Sequence, residues 1–371
     1  MTIKIRPYSE NLTDAIKDFN NRIKAGGLPY RLHEGPVLRW PKINNRKIYQ
    51  EYFLAVENGS IVRGGYTLKY QEFVLNGRIV SVACLQNPLA EGVVSRAHNV
   101  IGIKLLVHAF QRQPLLFALG MGSYTESLPQ LLKTMGWTLY SIPFYFKVNH
   151  PLRFLRNLTY FRTTTLRKAL ADVLAVTGLG WAGLKLIQGL LNKSGPRKNS
   201  VFTEAVGDFS AWADELWKVC QDSYSMIAVR DSAALNLLYP NNSGRFLRLK
   251  VLEKGEAIGW AVVLDTSMSN HKQFGDLRVG SIVDCLALPE HAFKVIKSAT
   301  RFLEKRGVDL IVSNQAHPAW CSALRASGFI HGPSNFIFAV SKKITEFLHP
   351  FDLHKTRIHL NRGDGDGPIH L

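Results

Sequence analysis

Between residues 79 and 137 the apolar positions switch repeatedly between strand-like runs and helical spacing. Residues 79–85, Ile-Val-Ser-Val-Ala-Cys-Leu, form a short run rich in β-branched side chains, which predicts a strand buried on both faces. Residues 86–99 contain Pro88 and Gly92 and predict a loop that delivers the chain to a helix. That helix opens at Val100-Ile101-Gly102 and extends to about Arg112, with Ile103, Leu106, Val107 and Phe110 at helical spacing. Residues 115–119 read as a second apolar strand and 126–135 as a helix stopped by Gly136-Trp137. Two strands joined by a helix imply a parallel pair with a right-handed crossover.

The same succession returns near the end of the chain. Residues 281–288 predict a strand, 291–306 a helix, 309–313 a second strand, and 318–327 a helix stopped by Gly328-Phe329. One order of elements found twice argues for an internal duplication. Ahead of the first crossover, residues 3–7 read as a strand and 9–23 as a helix with Leu12, Ala15, Ile16 and Phe19 on one face. Asn58-Gly59 and Asn76-Gly77, each between apolar runs, predict two tight hairpins. In the second copy, residues 201–205 predict a strand, 211–222 a helix, and 245–252 with 257–264 a hairpin around Lys254-Gly255-Glu256. The aromatic run 141–148 predicts a strand that finishes the first copy's sheet. The expected domains are therefore 1–150 and 201–348, joined by 151–200 and followed by a tail, 349–371.

Charge adds something that the pattern does not. The 46 Lys and Arg against 28 Asp and Glu give a net charge of +18, which favours anionic partners such as nucleotides, anionic glycans, phosphorylated lipids or nucleic acid. Residues 151–200 hold nine of the basic residues against one acidic residue, Asp172, together with an apolar helix-like run at 166–191. Its uncharged part, 173–184, is too short to span a bilayer, which takes about 20 residues. It reads as an interdomain helix, or as a basic amphipathic segment able to lie on an anionic membrane surface. The four cysteines, Cys84, Cys220, Cys285 and Cys321, show neither metal-ligand nor disulfide spacing, and Cys84 and Cys285 fall inside the two central strands as apolar filler. A reducing compartment follows. The first residues lack a signal peptide's apolar stretch, so a cytoplasmic location is expected, at most peripheral to the inner membrane. In the tail, Arg362-Gly-Asp-Gly-Asp-Gly367 reads as a turn capped by its aspartates rather than a cation site.

The order of elements, with a Gly-aromatic end to each closing helix, resembles the GNAT superfamily of acyl-coenzyme A dependent N-acetyltransferases, over roughly 1–148 and 201–348. The resemblance implies an α/β protein of two tandem GNAT-like domains, each with a mixed sheet. It implies acetyl-CoA or another acyl-CoA as cofactor, with the pyrophosphate on the loop and helix N-terminus of the first copy, Arg96, Ala97, His98, Asn99, Val100, Ile101 and Gly102. Against the family's Arg/Gln-x-x-Gly-x-Gly/Ala pattern, the chain keeps Arg96 but puts Asn99 and Ile101 at the small positions, with Gly102 one place later. Asn99 could adopt a glycine-like backbone, whereas Ile101 is expected to crowd the phosphates. The second copy's loop, 288–293, has no glycine and carries Glu290, which marks that half as a structural partner or acceptor-binding half. The family's acidic Tyr falls at Leu132 and Leu324. Candidate catalytic groups are Glu91, His98 and Asp284 as bases and Tyr124 as an acid. The implied acceptor is an amino or hydroxyl group of a sugar, a lipid-linked precursor or another small molecule, in bacterial surface-polysaccharide synthesis. Two alternatives stay open: a Fem-type transferase using aminoacyl-transfer RNA, and a non-catalytic protein that binds anionic glycan or membrane.

Overall fold

The computed structural model describes residues 2–35, 39–43, 46–157, 189, 201–352 and 356–365. Most of the basic segment 151–200 lies outside the described residues, as do the end of the tail and the reading of 166–191. No helix among the described residues is long and apolar enough to cross a membrane.

The first half begins with β1 (Ile3–Pro7) and α1 (Thr13–Ala25), then β2 (Tyr49–Glu57), β3 (Ile61–Leu75) and β4 (Arg78–Ala90). It continues with α2 (Val100–Arg112), β5 (Leu116–Leu119), α3 (Ser127–Thr134) and β6 (Thr138–Ser141). The β2–β3 and β3–β4 hairpins turn where the sequence predicts. Asn76 and Gly77 have φ of 46° and 78°, the paired positive values that a two-residue hairpin requires, and Asn58 and Gly59 have φ of 48° and 85° in the three-residue turn between the paired Glu57 and Ile61.

The chain goes on through β7 (Phe144–Val148), α4 (Pro151–Asn157), β8 (Val201–Val206), α5 (Ala211–Cys220), β9 (Met226–Ala228), α6 (Ser232–Leu238), β10 (Leu247–Glu253) and β11 (Glu256–Ser267). The second crossover consists of β12 (Arg278–Ala287), α7 (Ala292–Lys305) and β13 (Leu310–Asn314). It is followed by α8 (Pro318–Ala326), β14 (Ile330–Gly332), β15 (Ile337–Val340) and α9 (Lys342–Phe347).

Both sheets are mixed. The first runs β1-β2-β3-β4-β5-β15-β6 and the second β14-β7-β13-β12-β11-β10-β8. In each, the crossover pair is parallel, β4 with β5 and β12 with β13, and the remaining neighbours along these paths are antiparallel.

Two strands depart from the expected order. β7, expected to finish the first sheet, pairs instead with β13 and β14 in the second. β15, from the end of the chain, takes the vacated place between β5 and β6. The compact units are accordingly 1–141 with 335–352, and 142–334 with 353–371, so the boundaries expected at 150 and 201 are crossed by an exchanged strand in each direction. The partners of Lys147 on β7 fit its place in the second sheet. Its ammonium donates to the carbonyl of Ser327 at the end of α8 and pairs with Glu304 at 2.8 Å.

Helices cover both faces of the first sheet. Leu12, Ile16, Phe19 and Ile23 of α1 and its preceding turn pack with Tyr52, Leu54 and Val56, while α2 packs on the alternate side chains Phe53 and Ala55. The buried stripe of α2 is Ile101, Leu105, Leu106 and Ala109. This corrects the expected face, since Ile103 and Val107 are 46% and 41% exposed. An apolar helix with few polar positions leaves the choice of face to tertiary packing.

Candidate functional site

The first half has a gap between its parallel strands. β4 and β5 pair over three positions, Ala83 with Leu116, Cys84 with Phe117 and Leu85 with Ala118. Beyond Leu85, β4 stays on β3 as far as Ala90, which lies opposite Gly64. Beyond Leu119 the chain leans the other way: the amide of Gly120 donates to Ile337 O at 2.9 Å and that of Gly122 to Asn335 O at 3.1 Å. The strands therefore diverge. β4 continues through residues 86–90, which were expected to be loop. Asn87 (φ 46°) and Pro88 sit in a bulge, and the proline's missing N–H faces no β5 partner there.

Residues 91–99 then fold as two short turns, Glu91–Val93 and Arg96–His98, that lead into α2. Gly92 is required by a close approach, since a Cβ there would lie 2.8 Å from His98 O and 2.9 Å from the Asn99 Cα. Arg96, Ala97, Asn99 and Val100 are exposed, and His98 and Gly102 are half-buried. The first turn of α2 contains no acidic residue, and its N-cap residue makes no side-chain capping bond. The leading amides of α2 therefore present a partial positive charge uncontested by any local carboxylate.

Two expectations for this loop change. Asn99 is right-handed helical (φ −54°, ψ −33°) rather than glycine-like. Ile101 is fully buried in the core beneath α2, so it does not crowd the loop's outer surface. At Gly102 there is room, because a Cβ would meet only Leu131 and Ala90 at 3.7 and 3.9 Å.

Two of the four candidate catalytic groups, Glu91 and Asp284, are tied up by arginines. Glu91 is buried and held by two guanidiniums, accepting from Arg22 Nε at 2.9 Å and Arg63 Nη1 at 2.9 Å. Burial alone would raise its pKa, but the bonds from Arg22 and Arg63 outweigh that and keep it below the ordinary value. Glu91 thus lies in an ion-paired anchor joining α1, β3 and the loop. Tyr124 follows the glycine turn after β5 and is 44% exposed, and partial burial raises its hydroxyl's pKa. Leu132 and Leu324, at the family's acid position, are fully buried apolar core residues.

Asp284 belongs to the second half and is 1% exposed. β12 and β13 also pair briefly, from Val279–Leu310 to Ile282–Ser313, while β12 stays on β11 through Ala287. The chain's own residues 358–364 lie at this second gap. The Ala316 amide donates to Leu360 O at 3.0 Å, the His359 amide to Met226 O at 2.8 Å, and Asn361 Nδ2 to Asp284 Oδ1 at 2.6 Å. Arg230, itself 1% exposed, bridges Asp284 at 3.0 Å and Asp364 at 2.9 Å, and Tyr239 donates to Asp284 Oδ2 at 2.7 Å. The sequence reading missed Arg230 and Asn361; it took Asp364 as a turn cap, as the Asn361–Asp364 capping box bears out, but not as a partner of Arg230. A lone carboxylate in the apolar run of β12 was the available signal, because a buried charge calls for a partner.

No protein-family model and no curated protein matches the chain. Among solved structures it is similar to a probable N-acyltransferase from Enterococcus faecalis V583 (TM-score 0.51, 10% identity, 94% of this chain and 74% of that one). It is also similar to a GCN5-related N-acetyltransferase from Anabaena variabilis ATCC 29413 (TM-score 0.50, 11% identity, 91% and 72%). A tandem GNAT protein from the clavulanic acid biosynthesis pathway aligns with a TM-score of 0.49 at 13% identity, over 91% of this chain and 98% of that one. With a diverging parallel pair and crossover helix in each of two mixed sheets, and the two neighbours of TM-score 0.51 and 0.50 along more than nine-tenths of its length, the chain has a tandem GNAT-like fold.

Proposed function

We propose that the protein is an acyltransferase that takes an acetyl or other acyl group from coenzyme A and holds that cofactor in its first half. The observation that carries this reading is the contrast between the two gaps. The β4–β5 gap opens towards the uncapped N-terminus of α2, whereas chain segment 358–364 is built into the β12–β13 gap. The loop fits a diphosphate: the amides at the start of α2 would donate to its oxygens, Arg96 lies exposed beside them, and Gly102 leaves space. Bound there, coenzyme A supplies a thioester carbonyl to an incoming nucleophile.

This chain's own groups then divide as follows. Half-buried His98 takes the proton of the acceptor, and Tyr124, on the loop after β5, returns a proton to the departing thiolate. Glu91 and Asp284 are committed to arginines and serve architecture. The acceptor is an amine or hydroxyl of a small molecule, with a sugar or lipid-linked precursor favoured by the charge of +18. A cytoplasmic site of action, with the basic segment 151–200 against an anionic membrane, completes the reading. One observation favours a second reading, a non-catalytic binding protein: the leucines buried at both acid positions.

Calorimetric titration with acetyl-CoA tests the proposal. One site per chain with micromolar affinity is expected, and Gly102→Glu, which places a carboxylate by the diphosphate, should abolish it while leaving the fold intact. No heat with any acyl-CoA would overturn the proposal, and binding without transfer to any amine or hydroxyl would favour the second reading.

A further inference from the structure

We propose that residues 358–364 form a latch, a tethered peptide seated in the second half's strand gap, which acidification releases to open a carboxylate-receptor groove around Arg230. The fit of the segment is specific. Arg230 is fully enclosed and also donates to Ala228 O, so its orientation is set before Asp364 meets it. Asn361 and Asp364 close a reciprocal capping box across the Arg362–Asp364 turn. Gly363 passes so close to the hydroxyl of Tyr239 that no side chain fits there. This is the arrangement of a peptide site with a defined anchor, a glycine filter and a backbone bridge, Gln315 to Asn361.

One residue of the latch is poorly served where it sits. His359 is completely buried, and neither ring nitrogen has a hydrogen-bond partner among the described residues. Its neighbours are Tyr224 (ring centroids 4.9 Å apart) and Trp320 (5.9 Å), with the Arg230 guanidinium, His317 and Cys285 as the other polar groups bearing on it. Asp284 and Asp364, the nearest carboxylates described around Arg230, are both engaged by it. Burial first, and then the Arg230 guanidinium, hold the imidazole neutral well below its ordinary range. His317, edge-on to the same Tyr224 ring, is likewise lowered by burial, to about 4. A released His359 in water titrates near its ordinary value of about 6.5. The seated state is therefore undiminished above that value and loses ground about tenfold per pH unit below it, one proton being taken up per release.

Hydrogen exchange on the full-length chain tests the release. The amides of His359 and Ala316 are protected by bonds that exist only while the segment is seated. Their protection factors should fall about tenfold per unit between about pH 6 and about pH 5, while those of β10 and β11 hold steady. His359→Phe keeps the aromatic packing and removes the titration, so its protection should be flat over the same range. Equal slopes in the two proteins, or no slope in wild type, would overturn the latch. For the groove, a labelled peptide with the sequence of residues 356–365 should bind the Gly363→Ala chain, whose own segment no longer fits, and not the wild type near neutral pH. A peptide carrying Asp364→Asn should bind at least about tenfold more weakly, in line with loss of a charge-assisted pair. If neither peptide binds the Gly363→Ala chain, or both bind it equally, there is no carboxylate receptor. None of these readouts involves acyl-CoA, so they stand or fall apart from the cofactor proposal.

Discussion

Arg22 near the end of α1 and Arg63 on β3 both donate to the carboxylate of Glu91, and Arg63 also reaches Glu57 at 2.8 Å. Removing the shared charge leaves two guanidiniums facing a neutral amide, Arg22 with 35% of its side chain still in solvent and Arg63 still paired with Glu57. Glu91→Gln should therefore cost about 1–3 kcal/mol, below the range for breaking a fully buried pair, read by chemical denaturation. Asp14→Asn, which breaks a fully exposed, solvent-screened pair with Lys17, should leave the same denaturation curve almost unmoved. The pH dependence has a definite sign. Because the folded pKa of Glu91 is depressed, its contribution is fully present above the unfolded value and is lost as pH falls through the lowered one. Glu91→Gln should accordingly flatten the acid limb of the stability curve. None of this was legible in the sequence, where Glu91 was a carboxylate near a presumed site: its partners lie 69 and 28 residues away, and spacing says nothing about contacts of that range.

At the scale of elements, what could be read depended on whether the signal was local. The hairpins at Asn58-Gly59, Asn76-Gly77 and Lys254-Gly255 turn where expected because a positive φ has to be supplied by the turn residues themselves. The crossovers were legible for a similar reason, since apolar strands buried on both faces and a Gly-stopped helix leave local patterns. The extension of β4 through Pro88 was not, because whether a proline breaks a strand depends on which neighbour its nitrogen would have faced. Two glycines in the candidate cofactor loop now separate by mechanism. Gly102→Ala meets only ordinary contacts in the first turn of α2, and should raise stability by at most about 0.5–1 kcal/mol, the helix-interior range, with acyl-CoA affinity little changed. Gly92→Ala drives a methyl into the backbone of His98 and Asn99, so it must shift the loop against α2 and should weaken acyl-CoA binding at least about tenfold, equivalent to about 1.4 kcal/mol. Paired thermal and calorimetric measurements decide between them. Equal affinity in wild type and Gly92→Ala would show that the loop does not hold the cofactor.

For the whole molecule the exchanged strands matter most. The run 144–148 alternates as a strand should, and its period is the same whichever sheet receives it. That period therefore gave no ground for placing it in the first sheet, and it pairs instead with Leu310–Asn314 and Ile330–Gly332. The reciprocal strand, Ile337–Val340, carries the sheet from Leu116–Leu119 to Thr138–Ser141, so a fragment ending at residue 150 lacks a strand from the middle of its own sheet. Such a fragment would expose the facing edges of β5 and β6 together with the buried Phe117 and Ala118, a template for intermolecular pairing. Expressed alone, residues 1–150 should be aggregated or molten, with no cooperative thermal transition. Expressed together, 1–150 and 151–371 should be soluble as a one-to-one complex, because each fragment carries the strand that the other sheet needs. Size-exclusion chromatography and calorimetry of the two preparations check this. A monomeric 1–150 fragment with a sharp transition would mean that β15 is dispensable to the first sheet, and that the duplication still folds as two independent units.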